Sequence, residues 1–118
     1  MTEDSRLLIQ KQQGITRIEF LDRNILDEGS IQRIGEEISA LIDETAVPKL
    51  LISFENVEHL SSAALGTLIN INNKIRQKGG QLRLSNIDPQ IYEVFVITKL
   101  DRLFKIYDDA EKAMVSFE

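Results

Sequence analysis

Leu50-Leu51-Ile52-Ser53-Phe54 and, three residues on, Val57-Glu58-His59-Leu60-Ser61-Ser62-Ala63-Ala64-Leu65-Gly66-Thr67-Leu68 decide how this chain folds. The first run, entered through Lys49, is almost unbroken in its apolar character. It is too short for a helix and suits a central strand covered on both faces. In the second run the apolar period lengthens. Ala64, Leu68, Ile71 and Ile75 recur at intervals of four, three and four, the stripe of an amphipathic helix expected over Ser61–Lys78. Gly79-Gly80 supplies its stop. A buried strand that feeds a helix is half of a crossover unit, so strands pair in parallel with helices packed on the sheet.

The neighbouring segments extend this pattern. Leu7–Gln12 and Ile15–Phe20 read as a hairpin around Gln13-Gly14, with near-alternating apolar residues in the second strand. Leu21–Gly29 is a turn-rich connection. Ser30 is the expected cap of a helix running to about Thr45, its apolar face made by Ile31, Ile34, Ile38, Leu41 and Ile42. Beyond the central helix, Gln81–Ser85 is a strand, and Asp88-Pro89 caps and starts a helix to Thr98. Phe104–Tyr107 is a last strand, and Asp108 or Asp109 caps a final helix with Ala110, Ala113 and Met114. The expected architecture is α/β: one domain over residues 1–118, with a mixed, mostly parallel sheet of about 4–5 strands and about four helices.

Composition narrows the function. With 118 residues the chain buries roughly two-thirds of its unfolded surface, enough for one core. Its 42% hydrophobic and 28% charged content fits an ordinary soluble globule, expected in the cytoplasm. A net charge of -5 gives no general attraction to nucleic acid. Without cysteine there is neither disulfide nor thiolate metal site, and a single His argues against a His-based catalytic cluster. The acidic start Met1-Thr2-Glu3-Asp4-Ser5 does not read as a signal peptide. No apolar run approaches the roughly 20 residues of a membrane span, so no membrane insertion is expected.

On a helical wheel the stripe of Ala64, Leu68, Ile71 and Ile75 faces the sheet. Ser62, Gly66, Ile69 and Asn73 fall opposite, with Leu65 and Arg76 on the flank. This outward face is small and uncharged until Lys74, Arg76 and Lys78, so a partner could approach closely with Ile69 as an apolar anchor. A lone surface Ile is also common. Ser61 sits best as the N-cap, and Ser62 points its hydroxyl outward. On chemistry alone both serines read first as helix caps. A phosphate on Ser62 would sit favourably near helix-end amides and would repel a partner built for a neutral hydroxyl.

The serine stretch resembles the signature of the STAS domain, the fold of bacterial anti-sigma factor antagonists. Aligning Leu65-Gly66 with the Leu-Gly of that family's Asp-Ser-Ser/Thr-Gly-Leu-Gly motif puts Ser62 at the phosphoserine position, with Ser61 as second choice. Ser61 stands where Asp is usual and Ala64 where the first Gly is usual. Gly79–Asn86 and the Leu-x-x-Leu-Phe run within Thr98–Tyr107 are similar to the family's later segments, with Lys99 in place of a common Gly. The resemblance implies an anti-sigma factor antagonist of bacterial transcription. Its unmodified form would bind an anti-sigma factor, typically a serine kinase, through Ser62, Leu65, Gly66, Ile69 and Asn73. A phosphatase would reset it. It would catalyse nothing and hold no cofactor, ATP belonging to the kinase. Two other family roles stay open: a structural subunit of a signalling scaffold, and an accessory subunit of a lipid transporter. The oligomeric state stays open as well.

Other residues invite less. His59 beside Glu58 lacks a third catalytic partner. The acidic groups Asp22, Asp27, Glu28 and Asp108, Asp109, Glu111 lack the spacing of a calcium loop, and Gly79-Gly80 lacks the Lys-Ser/Thr of a phosphate loop. Phe95, Phe104 and Tyr107 read as packing residues.

Overall fold

A computed structural model describes residues 7–25 and 27–117. Strands β1 (Leu7–Gln12) and β2 (Ile15–Phe20) form the expected hairpin. Gln13 and Gly14 both have positive φ, 55° and 80°, the backbone of a primed two-residue turn that matches strand twist. A two-residue strand β3 (Asn24–Ile25) leads to helix α1 (Glu28–Asp43). Strand β4 (Lys49–Ser53), a second two-residue strand β5 (His59–Leu60) and helix α2 (Ser62–Gln77) follow. The chain continues through β6 (Gln81–Ser85), α3 (Pro89–Ile97), a 3-10 turn at Leu100–Arg102, β7 (Lys105–Tyr107) and α4 (Ala110–Val115).

The five-stranded sheet runs β1-β2-β4-β6-β7, antiparallel at the hairpin and parallel elsewhere. In β4, Leu50, Leu51 and Ile52 are each at most 1% exposed, as a strand covered on both faces requires. Leu50 and Ile52 join Ile31, Ile34, Ile38 and Ile42 of α1 and Ala64, Leu68, Ile71 and Ile75 of α2 in the main core. Leu51 points the other way and meets Ile15, Ala110 and Ala113 beneath α4. Arg83 fastens that helix: its Nε donates to Ser116 Oγ at 2.9 Å, and its guanidinium lies 5.0 Å from the Phe117 ring centre. On the main-core side Phe95 and Phe104 pack edge to face, and Tyr107 is half-buried against the α4 side.

The structure corrects three boundary expectations and adds one strand pair. Asp27, not Ser30, caps α1; its Oδ2 accepts from Ser30 N at 2.9 Å, so the cap lies three residues earlier. The helix also ends at Asp43, before Thr45. The last strand begins at Lys105 because Phe104 turns into the core. The β3-β5 pair was not foreseen. Asp88 and Asp109 cap α3 and α4 through Gln90 N and Lys112 N, each from its side-chain oxygen.

Gly80 is held by close approach. A Cβ there would lie 2.1 Å from the Pro48 carbonyl oxygen, which accepts from Gln81 N at 2.9 Å. Gly80→Ala must push β4 and β6 apart at their starts and should cost about 2–3 kcal/mol, read as a lowered thermal midpoint. Leu68→Asp should leave the domain unfolded or close to it, since an unpaired charge would enter a site 4% exposed. Circular dichroism melts of both variants check these expectations; native-like stability in either would mean that the helix–sheet packing is misdescribed.

Candidate functional site: the start of helix α2

The serine pair lies at the end of the sheet where the parallel strands finish, and the short β3-β5 pair holds it there. Asn24 and Ile25 pair in parallel with His59 and Leu60. Glu58 N and His59 N both donate to the Arg23 carbonyl, and Ser61 N donates to the Ile25 carbonyl at 3.0 Å. Ile25 is 4% exposed and anchors the clamp in the core. The last residue before α2 is therefore fixed by backbone hydrogen bonds to the segment that leads into α1.

The two serines then divide. Ser61 is the N-cap, with extended backbone (φ -80°, ψ 163°), and its Oγ accepts from Ala64 N at 3.3 Å. Ser62 is the first helical residue, and it is exposed. Its own amide lies among the helix-end donors that have no intrahelical acceptor, and the helix dipole is positive there. A negatively charged group on Ser62 would be locally stabilised.

Along α2 the outward residues are as the wheel places them, with two differences. Ser62, Gly66 and Asn73 are exposed. Ile69 is half-buried and packs against the edge of the core. Leu65 is 9% exposed and belongs to the core itself, so it supports the face from beneath more than it presents one. The buried arc is wider than the stripe because it also takes in Leu65 and Asn72, seven residues apart on one edge of the helix. Asn72 is 6% exposed, and its Nδ2 has no hydrogen-bond partner among the described residues. Beside this face, α1 and α2 border an open groove of about 470 Å³, lined by Gly35, Ser39, Thr67 and Asn70 and by the Lys74–Asp43 ion pair of 2.9 Å.

Gly66 is the informative residue of the face. Its φ is not positive, and a Cβ built on it meets nothing within 4 Å. The fold gives no reason for glycine here, yet glycine inside a helix costs about 0.5–1 kcal/mol relative to Ala. Its effect is to leave the helix backbone open beside Ser62.

His59 lies in β5, paired with Asn24. Among the described residues, no group of three or more His, Asp or Glu side chains could hold a metal ion, and no helix is long and apolar enough to cross a membrane.

Comparison with known proteins bears on the family and the fold. A Thermotoga maritima protein described as a candidate anti-sigma factor antagonist is 35% identical over 66 residues, 56% of this chain and 58% of that protein, so the chain spans a little over half of that relative's length. The structure of an anti-sigma-factor antagonist (STAS) domain protein from Planctomyces limnophilus superposes with a TM-score of 0.84 at 22% identity, covering 93% of this chain and 96% of that one. The phosphorylated form of SpoIIAA, a Bacillus cell fate determinant, gives 0.73 at 19% identity, covering 92% and 96%. The model of the STAS domain family matches residues 7–113, and the chain belongs to that family.

Proposed function

We propose that this chain is an anti-sigma factor antagonist whose contact face is the outward side of α2. In this reading the unmodified protein binds an anti-sigma factor that is also a serine kinase, and a sigma factor is released. The kinase transfers a phosphoryl group from ATP to Ser62 Oγ, the hydroxyl proton leaves, and binding is lost. A phosphatase restores the hydroxyl. The chain itself does no chemistry.

The observation that carries this reading is the division between the serines. Ser61 Oγ is engaged in the cap, while Ser62 is exposed at the first helical position. A kinase can reach the second without undoing the helix start. The exposed, open Gly66 one turn along, the half-buried Ile69 and the exposed Asn73 continue a face without like-charged obstacles. The names of the relatives support the reading. One of them is known in a phosphorylated form.

Incubation with a kinase that binds this protein, and with ATP, should place phosphate on Ser62 and leave Ser61 unmodified, as mass spectrometry of peptides would show. Ser62→Ala should bind the kinase like the parent. Ser62→Asp should bind about 30-fold more weakly or worse, because a carboxylate desolvated at a packed contact costs about 2 kcal/mol or more. Its melting temperature should not fall, since Asp is favourable in the first turn. Equal affinity for all three folded forms would remove Ser62 from the contact.

Gly66→Ala separates stability from binding. The substitution should stabilise the domain by about 0.5–1 kcal/mol and weaken the complex. Calorimetric titration alongside thermal melts reads both. Tighter or unchanged binding would show that the open backbone at Gly66 serves no partner.

A further inference from the structure

Helix α3 is apolar on all sides, yet the fold covers only one of them. Of Pro89-Gln90-Ile91-Tyr92-Glu93-Val94-Phe95-Val96-Ile97, only Ile91 and Phe95 are buried. Tyr92, Val94, Val96 and Ile97 are 41%, 42%, 45% and 73% exposed. Three of its exposed residues, Val94, Val96 and Ile97, are β-branched, poor choices for a solvent-facing helix. A helix apolar all round is normally buried, and exposed apolar surface of this kind marks an interface. Nothing in the site at Ser62 uses it.

The charges on this helix select the occupant. With Ile91 and Phe95 toward the core, Glu93 and Ile97 lie opposite, flanked by Tyr92 and Val96 on one shoulder and Val94 on the other. Glu93 thus stands in the middle of the apolar face. A lipid surface would have to desolvate that carboxylate with no partner. Just past the helix, Lys99 and Arg102 are exposed, and neither they nor Glu93 make an ion pair among the described residues. Glu93 and Lys99 sit three residues either side of Val96. In an antiparallel two-fold pairing of α3 crossing at Val96, each Glu93 comes level with the Lys99 of the other copy. Val96, on the two-fold axis, then meets its own counterpart, and every other contact is made twice, as an isologous contact requires.

We infer that α3 is a self-association surface. A second copy of this chain covers Tyr92, Val96 and Ile97, with two symmetry-related Glu93–Lys99 contacts setting the antiparallel register. The patch is small, so the dimer is a transient one, formed at high protein concentration. The inference stands apart from the role proposed for Ser62, and its test does not involve the kinase.

Sedimentation equilibrium of the full chain over a range of concentrations, with circular dichroism to verify folding, tests it. The parent should move from monomer to dimer as concentration rises, and Ile97→Asp should stay monomeric while folded. Glu93→Lys and Lys99→Glu, each alone, should weaken the dimer by about tenfold, since each reversal breaks two pairs at once. The double variant Glu93→Lys/Lys99→Glu should recover the parent's association, which a merely structural role for either residue would not produce. Both Lys99 variants keep a non-glycine residue in the left-handed conformation observed there, φ 65°, so backbone strain is held constant. A monomer at every concentration would overturn the proposal. So would a dimer indifferent to Ile97→Asp, failure of the double variant to recover, or a monomer that binds vesicles of phosphatidylcholine and phosphatidylglycerol through Ile97.

Discussion

Burial of β4 on both faces is the constraint on which the rest of the structure depends. Leu50 and Ile52 need cover on one side and Leu51 on the other. A strand in that position can be joined to parallel neighbours only by crossovers, and each crossover here is a helix laid on the sheet. The helix that follows β4 must therefore begin at the end of the sheet where the strands finish, the end at which open α/β sheets commonly carry their function. Ser62 owes its position to this. Its exposure is a result of strand burial some ten residues earlier.

Fixing the helix start takes a second device. A connection between a buried strand and a helix could wander, and a wandering serine would make a poor contact for any partner. The β3-β5 pair prevents this with a few backbone hydrogen bonds and one buried side chain, Ile25. The same pair ties the entry of α1 to the entry of α2 through backbone hydrogen bonds. Under the proposed switch, a phosphate on Ser62 would alter charge at a defined place at the helix start.

Much of this was legible in the sequence, and the exceptions have physical causes. The hairpin, β4 and β6 follow from alternation or continuous apolar runs, and the caps at Ser61 and Asp88 from the chemistry of short polar side chains, while the last cap stayed open between Asp108 and Asp109 until the structure placed it at Asp109. The α1 cap was misplaced because Asp27 and Ser30 are both competent and stand three residues apart, with Gly29 between them weakening the helical signal. Strands of two residues show no periodicity, so β3 and β5 left no trace. Leu65 looked like a flank residue on the wheel because a stripe drawn through one row of apolar residues understates how much of a helix a neighbouring layer covers. Lys99 stands at a position where the backbone is left-handed, φ 65°, which explains why glycine would be suited there and why the sequence read as an exception. The role of the face could not be read from periodicity at all. It came from a family resemblance, and it gains physical content from the division between the two serines and from Gly66, a glycine that the fold does not need.

The central claim is that the exposed side of α2, entered at Ser62, is the surface a kinase partner occupies. Amide chemical-shift mapping of the isotopically labelled chain, titrated with an anti-sigma factor that binds it, tests this most directly. The account predicts that the largest changes cluster at Ser62, Gly66, Ile69 and Asn73 and along the adjoining α1 groove, and that they vanish when the labelled chain carries phosphate on Ser62. Changes confined to α3, α4 or the outer face of the sheet, with the start of α2 silent, would contradict it.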